Sequence, residues 1–339
     1  KIKNNLYLNI FAADNCDPNL CYKFIGCANF KDNTEGSQQI DTIGVIDDGK
    51  NFIVNANDCP YPLAEQTIEK IKSTYEKIDV LLTGYGGAGP YPQCYNNLST
   101  IQKLDAADKK RENFLKQAIK FIENIEPSYY LPFAGNYVLA GELSNLNMFK
   151  GVPNLDEAYG YLEDYIYKKK LSFKPIKINP GQLFDLTSGK ASENYKMTDA
   201  EEYNNYVKNI LPNKKFDFHD DEIPKFEEIL ELSKKSLTRF SDNNIINSIK
   251  FKETVLIKFL NKYIKFKDNS KNLEIINEDE LNHLNEYVIF DVDPRLLKRI
   301  LMGPKYAHWN NAEIGSHIKF FRKPDIYNKD IFISMCSFH

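Results

Sequence analysis

Between residues 5 and 58 the apolar positions fall in short runs broken by turn residues, LYLNIFAA, CYKFIGCANF, DTIGVID and NFIVNAND, a pattern that predicts strands. Asp48-Gly49-Lys50 separates the last two runs, and Asp-Gly between apolar runs predicts a hairpin. The spacing then changes: Ile68, Ile71, Tyr75 and Ile78 recur at helical intervals, and DVLLTGY follows as a further strand. Residues 100 to 126 carry an apolar stripe of Leu104, Phe114, Leu115, Ile119 and Ile122, which predicts a long helix stopped by Pro127. SYYLPFAGNYVLAGE reads as a strand running into a loop. Residues 40 to 140 thus alternate strand and helix, as in a layered α/β domain.

Beyond residue 150 helical spacing dominates, at 154 to 169, 199 to 211, 221 to 239 and 243 to 265, with thinner apolar faces and many Lys and Glu. The chain closes on two strand-like runs, EYVIFDV and HIKFF, around the loop GPKYAHWNNAEIGS. The pattern predicts an α/β part over 1–150, then a helical addition and C-terminal strands over 151–339 that complete the pocket.

Composition narrows the function more than the fold. At 339 residues and 42% hydrophobic, the chain can bury a large core in one or two domains. A net charge of -3 gives it no overall attraction for phosphate backbones or anionic lipid, which argues against nucleic acid and membrane as partners. The sequence shows no apolar run of bilayer length and no signal-peptide pattern at its start, so a cytoplasmic protein is expected. Its six cysteines form no CxxC pair and are expected as reduced thiols. The chain starts at Lys1 almost directly in a strand pattern, so a segment upstream is expected.

Three segments carry candidate chemistry. In NFIVNANDCPYP an apolar strand ends at Asp58, where α/β sheets build their sites; an Asp there could ligate a metal or cap the next helix. In LLTGYGGAGPYPQCY, Gly84, Gly86, Gly87 and Gly89 precede Tyr91, and the run is either a plain tight loop or one that lets backbone approach a ligand. It lacks the Gly-Lys-Ser/Thr of a phosphate loop and the spacing of GxGxxG. YAHWNNAEIGSHIKFFRKP gathers His308, Trp309, Asn310, Asn311, Glu313, His317 and Arg322: either polar groups that hold a metal or substrate, or a structural turn around a core tryptophan. Asp220 and Asp221 in FHDDE are read as capping a helix.

In order, FIVNANDC, LLTGYGGAGPYPQCY and YYLPFAGNYV, with looser matches at KINPGQLFDL and DIYNKDIFISMCSFH, resemble the C-terminal portion of the CMP-N-acetylneuraminate hydroxylase family, which joins a metallo-β-lactamase-like domain to a Rieske domain. The resemblance implies metallo-β-lactamase-like αββα layers, incomplete at the N-terminus, with a helical addition. It implies a divalent metal, zinc or iron, with Asp58 at the family's bridging Asp position. Gly86, Gly87, Gly89, Tyr91, Phe133 and Gly135 would line the pocket, and His308, Asn310, Asn311 and Arg322 would hold a sugar or nucleotide-sugar substrate. The HxHxDH of metallo-β-lactamase-fold enzymes is absent, the five histidines all lie beyond residue 200, and Glu35 would stand in for a histidine that the family could offer near Lys31 to Gln38. No paired Cys and His ligands for a Rieske cluster occur. Two function classes follow. One is a metal-dependent hydrolase or oxygenase-type protein whose remaining ligands lie upstream or on a second chain, because half of an αββα sandwich would expose an apolar sheet face. The other is a non-enzymatic binding or assembly module on a degenerate scaffold.

Overall fold

The computed structural model describes residues 1–2, 5–12, 42–57 and 59–339. It is mixed α/β, with two main sheets and helices packed on each. The first sheet has six strands in sequential order: β1 (Tyr7–Ala12), β2 (Thr42–Asp47), β3 (Phe52–Asn55), β4 (Val80–Thr83), β5 (Tyr129–Pro132) and β6 (Lys174–Pro175). The β1–β2 and β2–β3 pairs are antiparallel, and β3 to β6 run parallel. Gly49, at φ 84°, makes the β2–β3 turn while Asp47 Oδ1 accepts its N–H at 2.7 Å, which is why Asp-Gly marks the hairpin in the sequence.

The parallel strands are joined through helices α1 (Glu65–Thr74), α2 (Thr100–Ile125) and α3 (Leu155–Lys169). Ser99 and Gln102 form a reciprocal capping box that starts α2, and Asn154 with Glu157 does the same for α3. Crossovers of one hand between sequential neighbours put all three helices on one face. There Ile43, Val45, Val54, Leu81 and Tyr130 of the sheet pack with Ile68, Ile71, Ile119, Ile122 and Leu162 of the helices. On the opposite face Leu8 and Ile10 are 45% and 66% exposed, and Ile46 beside Leu8 is 36% exposed. A two-stranded ribbon, β7 (Phe184–Asp185) and β8 (Lys190–Ala191), lays Phe184 edge-on against Tyr129, ring centroids 5.0 Å apart, at the β5 end of that face.

The second sheet has the order β11-β10-β9-β12-β13 and is built from β9 (Thr254–Phe259), β10 (Lys262–Phe266), β11 (Glu274–Asn277), β12 (Tyr287–Val292) and β13 (Ile318–Lys323). A short helix, α4 (Ala200–Asn205), buries no residue, and the helices packed on the second sheet are α5 (Phe226–Ile246), α6 (Pro294–Leu301), α7 (Trp309–Ile314) and α8 (Lys329–Met335). Phe240, Phe266, Phe290, Trp309, Phe320, Phe332 and Phe338 form its aromatic core. The helix expected over 243 to 265 is not there: α5 ends at Ile246, and after a short connection the β9–β10 hairpin begins at Thr254. Thr254-Val-Leu-Ile and Tyr263-Ile are β-branched and aromatic stretches buried on a central strand pair, and the lysines among them gave a false helical spacing.

The two sheets meet through the segment after the glycine-rich loop. Tyr95 forms a parallel bridge with Phe320; Asn96 N donates to Phe320 O at 2.7 Å, and Phe320 N donates to Cys94 O at 2.8 Å. Gln93 Nε2 donates to Ser316 Oγ at 3.0 Å, both residues being buried. Among the described residues no helix is long and apolar enough to cross a membrane.

Candidate functional site

Strands β3, β4 and β5 are parallel, so their carboxyl ends open on one edge of the sheet, where α/β proteins place their ligands. That edge consists of Asn55–Asn57, Thr83–Gly89 and Phe133–Gly135. Asp58, the expected metal ligand, lies outside the described residues, as does the Lys31 to Gln38 region with Glu35.

The glycines at this edge are set by close approach. A Cβ on Gly86 would strike the Gly135 carbonyl and sit 2.7 Å from Val152 Cγ1, so only glycine fits between these backbones. Gly135 in turn lies under the Tyr85 ring, and Gly87 abuts the Phe114 ring of α2. Ala134 holds a left-handed φ of 46° to make the turn. Gly89, at φ 153°, faces open space.

Gly84 differs from these. A Cβ built on it would lie 3.1 Å from Asn57 O, 3.3 Å from Ala134 O and 3.7 Å from Asn57 Oδ1. The bare hydrogen at this position lets three oxygens converge over the Gly84 Cα, and the niche between them is tighter than a methyl carbon normally accepts. Asn57 Oδ1 is buried and finds no hydrogen-bond donor among the described residues. A buried acceptor without a donor costs about 1–3 kcal/mol, which a hydroxyl or ammonium entering the niche would recover.

Positive charge gathers behind the loop. Lys150, 7% exposed, donates to Asn136 Oδ1 at 3.0 Å and to the Tyr137 carbonyl, and burial pulls its ammonium down to about 8. Lys103 donates to Gln93 O at 3.0 Å and Lys110 to Tyr91 O at 2.8 Å. These three ammoniums bond to neutral oxygens and stiffen the loop from outside. The sequence did not single out any of the three: Lys103 and Lys110 lie on the amphipathic α2, where lysines look like solvated surface, and Lys150 stands in a connecting segment.

The other expected site residues have structural partners. His308 is the N-cap of α7, its Nδ1 accepting from Asn310 N at 3.1 Å, and Asn311 is exposed. Trp309 is buried in the second core and its indole N–H donates to Phe338 O. Arg322 is 7% exposed; its Nε donates to Asp325 Oδ1 at 3.0 Å, and its guanidinium lies over the Tyr95 ring. Tyr91 stands edge-on to Tyr95 at 5.3 Å, so Tyr91, Tyr95 and Arg322 form a row from the glycine loop into the second sheet. Phe133 is 39% exposed at the end of β5. Neither Asp220 nor Asp221 starts α5, whose N-cap is Lys225: Arg299 Nε donates to Asp221 at 2.6 Å and holds its carboxyl below the usual carboxylate range.

Cys94 and Cys336 stand as thiols, both pushed up by burial. Among the described residues no group of three or more His, Cys, Asp or Glu side chains is placed to share a metal ion, so those residues do not by themselves fit a metal centre.

No family model matches the chain and no curated protein matches it. Among solved structures it is similar to the CmlA β-hydroxylase E377D mutant, at 13% identity and a TM-score of 0.23 over 42% of this chain and 27% of that one. It is similar in the same way to CmlA, a diiron β-hydroxylase from Streptomyces venezuelae, at 12% identity and a TM-score of 0.24 over 42% of this chain and 28% of that one. The match thus spans little more than a quarter of either hydroxylase.

Proposed function

We propose that the carboxyl edge of β3, β4 and β5 binds a small molecule through a hydrogen-bond donor seated over Gly84, and that a sugar or nucleotide sugar is the ligand class. The observation that carries this reading is the unpaired Asn57 Oδ1 at a niche whose other rim atoms are also acceptors. Acceptors alone select hydroxyls or ammonium groups, and hydroxyl-rich ligands offer several donors at once. Titration with CMP-N-acetylneuraminate, N-acetylneuraminate and glucose, followed by calorimetry, tests it. Binding that is lost in Gly84→Ala, whose methyl fills the niche, supports the reading; equal binding by the variant, or none by the wild type, removes it.

The second reading is a metal-dependent, oxygenase-type protein of metallo-β-lactamase-like layering, to which this chain contributes Asp58 and a segment upstream or a second chain contributes the remaining ligands. It is favoured by the order of the sequence, in which Asp58 follows the β3 strand by three residues, and by the apolar face that Leu8, Ile10 and Ile46 leave exposed. Elemental analysis for iron, zinc and manganese decides it. Metal that copurifies near one or two per chain and falls in Asp58→Ala supports it; metal-free protein indifferent to that substitution leaves the binding module.

A further inference from the structure

A cleft of about 480 Å³ runs along the outer side of α2, across the glycine loop from the Gly84 niche. Its apolar lining is Tyr91, Leu98, Ala106 and Phe114. Phe114 also abuts Gly87, so the loop glycine sets how deep the cleft can be. Amide side chains of Gln102, Asn113 and Gln117 line it as well.

The charges in the cleft do not cancel. Asp105 is taken by Lys109, with 2.7 Å between Nζ and Oδ2. Lys110 has no carboxylate partner among the described residues; its Nζ donates to Tyr91 O at 2.8 Å, and two of its three donor sites remain for a ligand. Burial disfavours its charged form and brings it down to about 8, and no carboxylate among the described residues offsets that cost, only the Cys94 thiol acting the other way. A partly buried ammonium beside two aromatic rings and three amides has the composition of an anion-recognition site with an apolar seat.

We propose that this cleft binds an organic carboxylate with a flat apolar body, the anionic end on Lys110 Nζ and the body between Tyr91, Ala106 and Phe114. The carboxylate satisfies the remaining ammonium donors, and the rings replace water along the body. The amides are placed to meet polar substituents. This site is independent of the Gly84 niche, and either can fail without the other.

Ligand-observed NMR with phenylacetate as probe, and phenylacetamide as its neutral isostere, tests the proposal on the full chain. Phenylacetate is expected to bind with millimolar affinity and the amide roughly tenfold more weakly, the loss of one charge-assisted contact. Lys110→Met should weaken phenylacetate to the level of the amide while Lys109→Met does not. Ala106→Phe, which fills the seat and leaves Lys110 in place, should abolish binding of both probes; it keeps the test valid if Lys110→Met fails to fold. Equal affinity for acid and amide, equal loss in the two lysine variants, or no acid binding at about 10 mM overturns the proposal.

Discussion

The Arg322 guanidinium carbon lies 4.4 Å from the centroid of the Tyr95 ring. Tyr95 comes from the loop that leaves the first sheet and Arg322 from the edge strand of the second, so this pair is a joint between the two halves. Tyr95 also stacks on Phe320 at 5.1 Å, and Asp325 holds the guanidinium from its other side. Such an arginine is committed to packing, and substrate binding by it would require it to leave a site where it is 7% exposed.

Arg322→Ala should therefore lower stability by about 2 kcal/mol, the scale of a desolvated cation–π contact with its packing. Chemical denaturation followed by fluorescence of Trp309, the only tryptophan and 2% exposed, reads this directly. An unchanged midpoint would return Arg322 to the role of a ligand-holding residue.

Glu313 is 6% exposed on α7, and burial raises its carboxyl to about 7. Its folded pKa is above the unfolded one, so the native state binds the extra proton between about 4.5 and about 7 and stability rises as pH falls through that window. Glu313→Gln should remove this slope and stabilise the protein above pH 7 by up to about 3 kcal/mol. Denaturation midpoints at several pH values, wild type against variant, check the sign; a wild type that loses stability on mild acidification while the variant does not would contradict it.

Two glycines should respond very differently to alanine. Gly86→Ala forces a methyl against Val152 and the Gly135 backbone and should cost about 2 to 3 kcal/mol. Gly49→Ala meets nothing within 4 Å and carries only the strain of φ 84°, about 1 kcal/mol. Paired melting curves separate the two, and equal losses would show that the loop yields more easily than its contacts imply.

The first sheet was legible because local chemistry and tertiary role agree there. Asp48-Gly49 forms the hairpin, and Ser99 with Gln102 opens the helix that Pro127 follows. The second sheet was half hidden, because strands buried by contacts distant in sequence carry no period of their own; Thr254 to Phe266 looked helical until β12 lay beside β9. At the candidate site the glycines were legible and their reason was not: that Gly86 needs no side chain depends on Gly135, forty-nine residues away. His308 caps a helix, and in sequence a histidine that does so is indistinguishable from one that holds a substrate.

The bridge between Tyr95 and Phe320 has one more consequence. A terminal strand such as β13 normally offers a row of unpaired amides on which another chain can grow. Here Cys94 to Asn96 occupies part of that row, so the connection that carries the glycine-rich turn also guards the protein against strand-to-strand self-association.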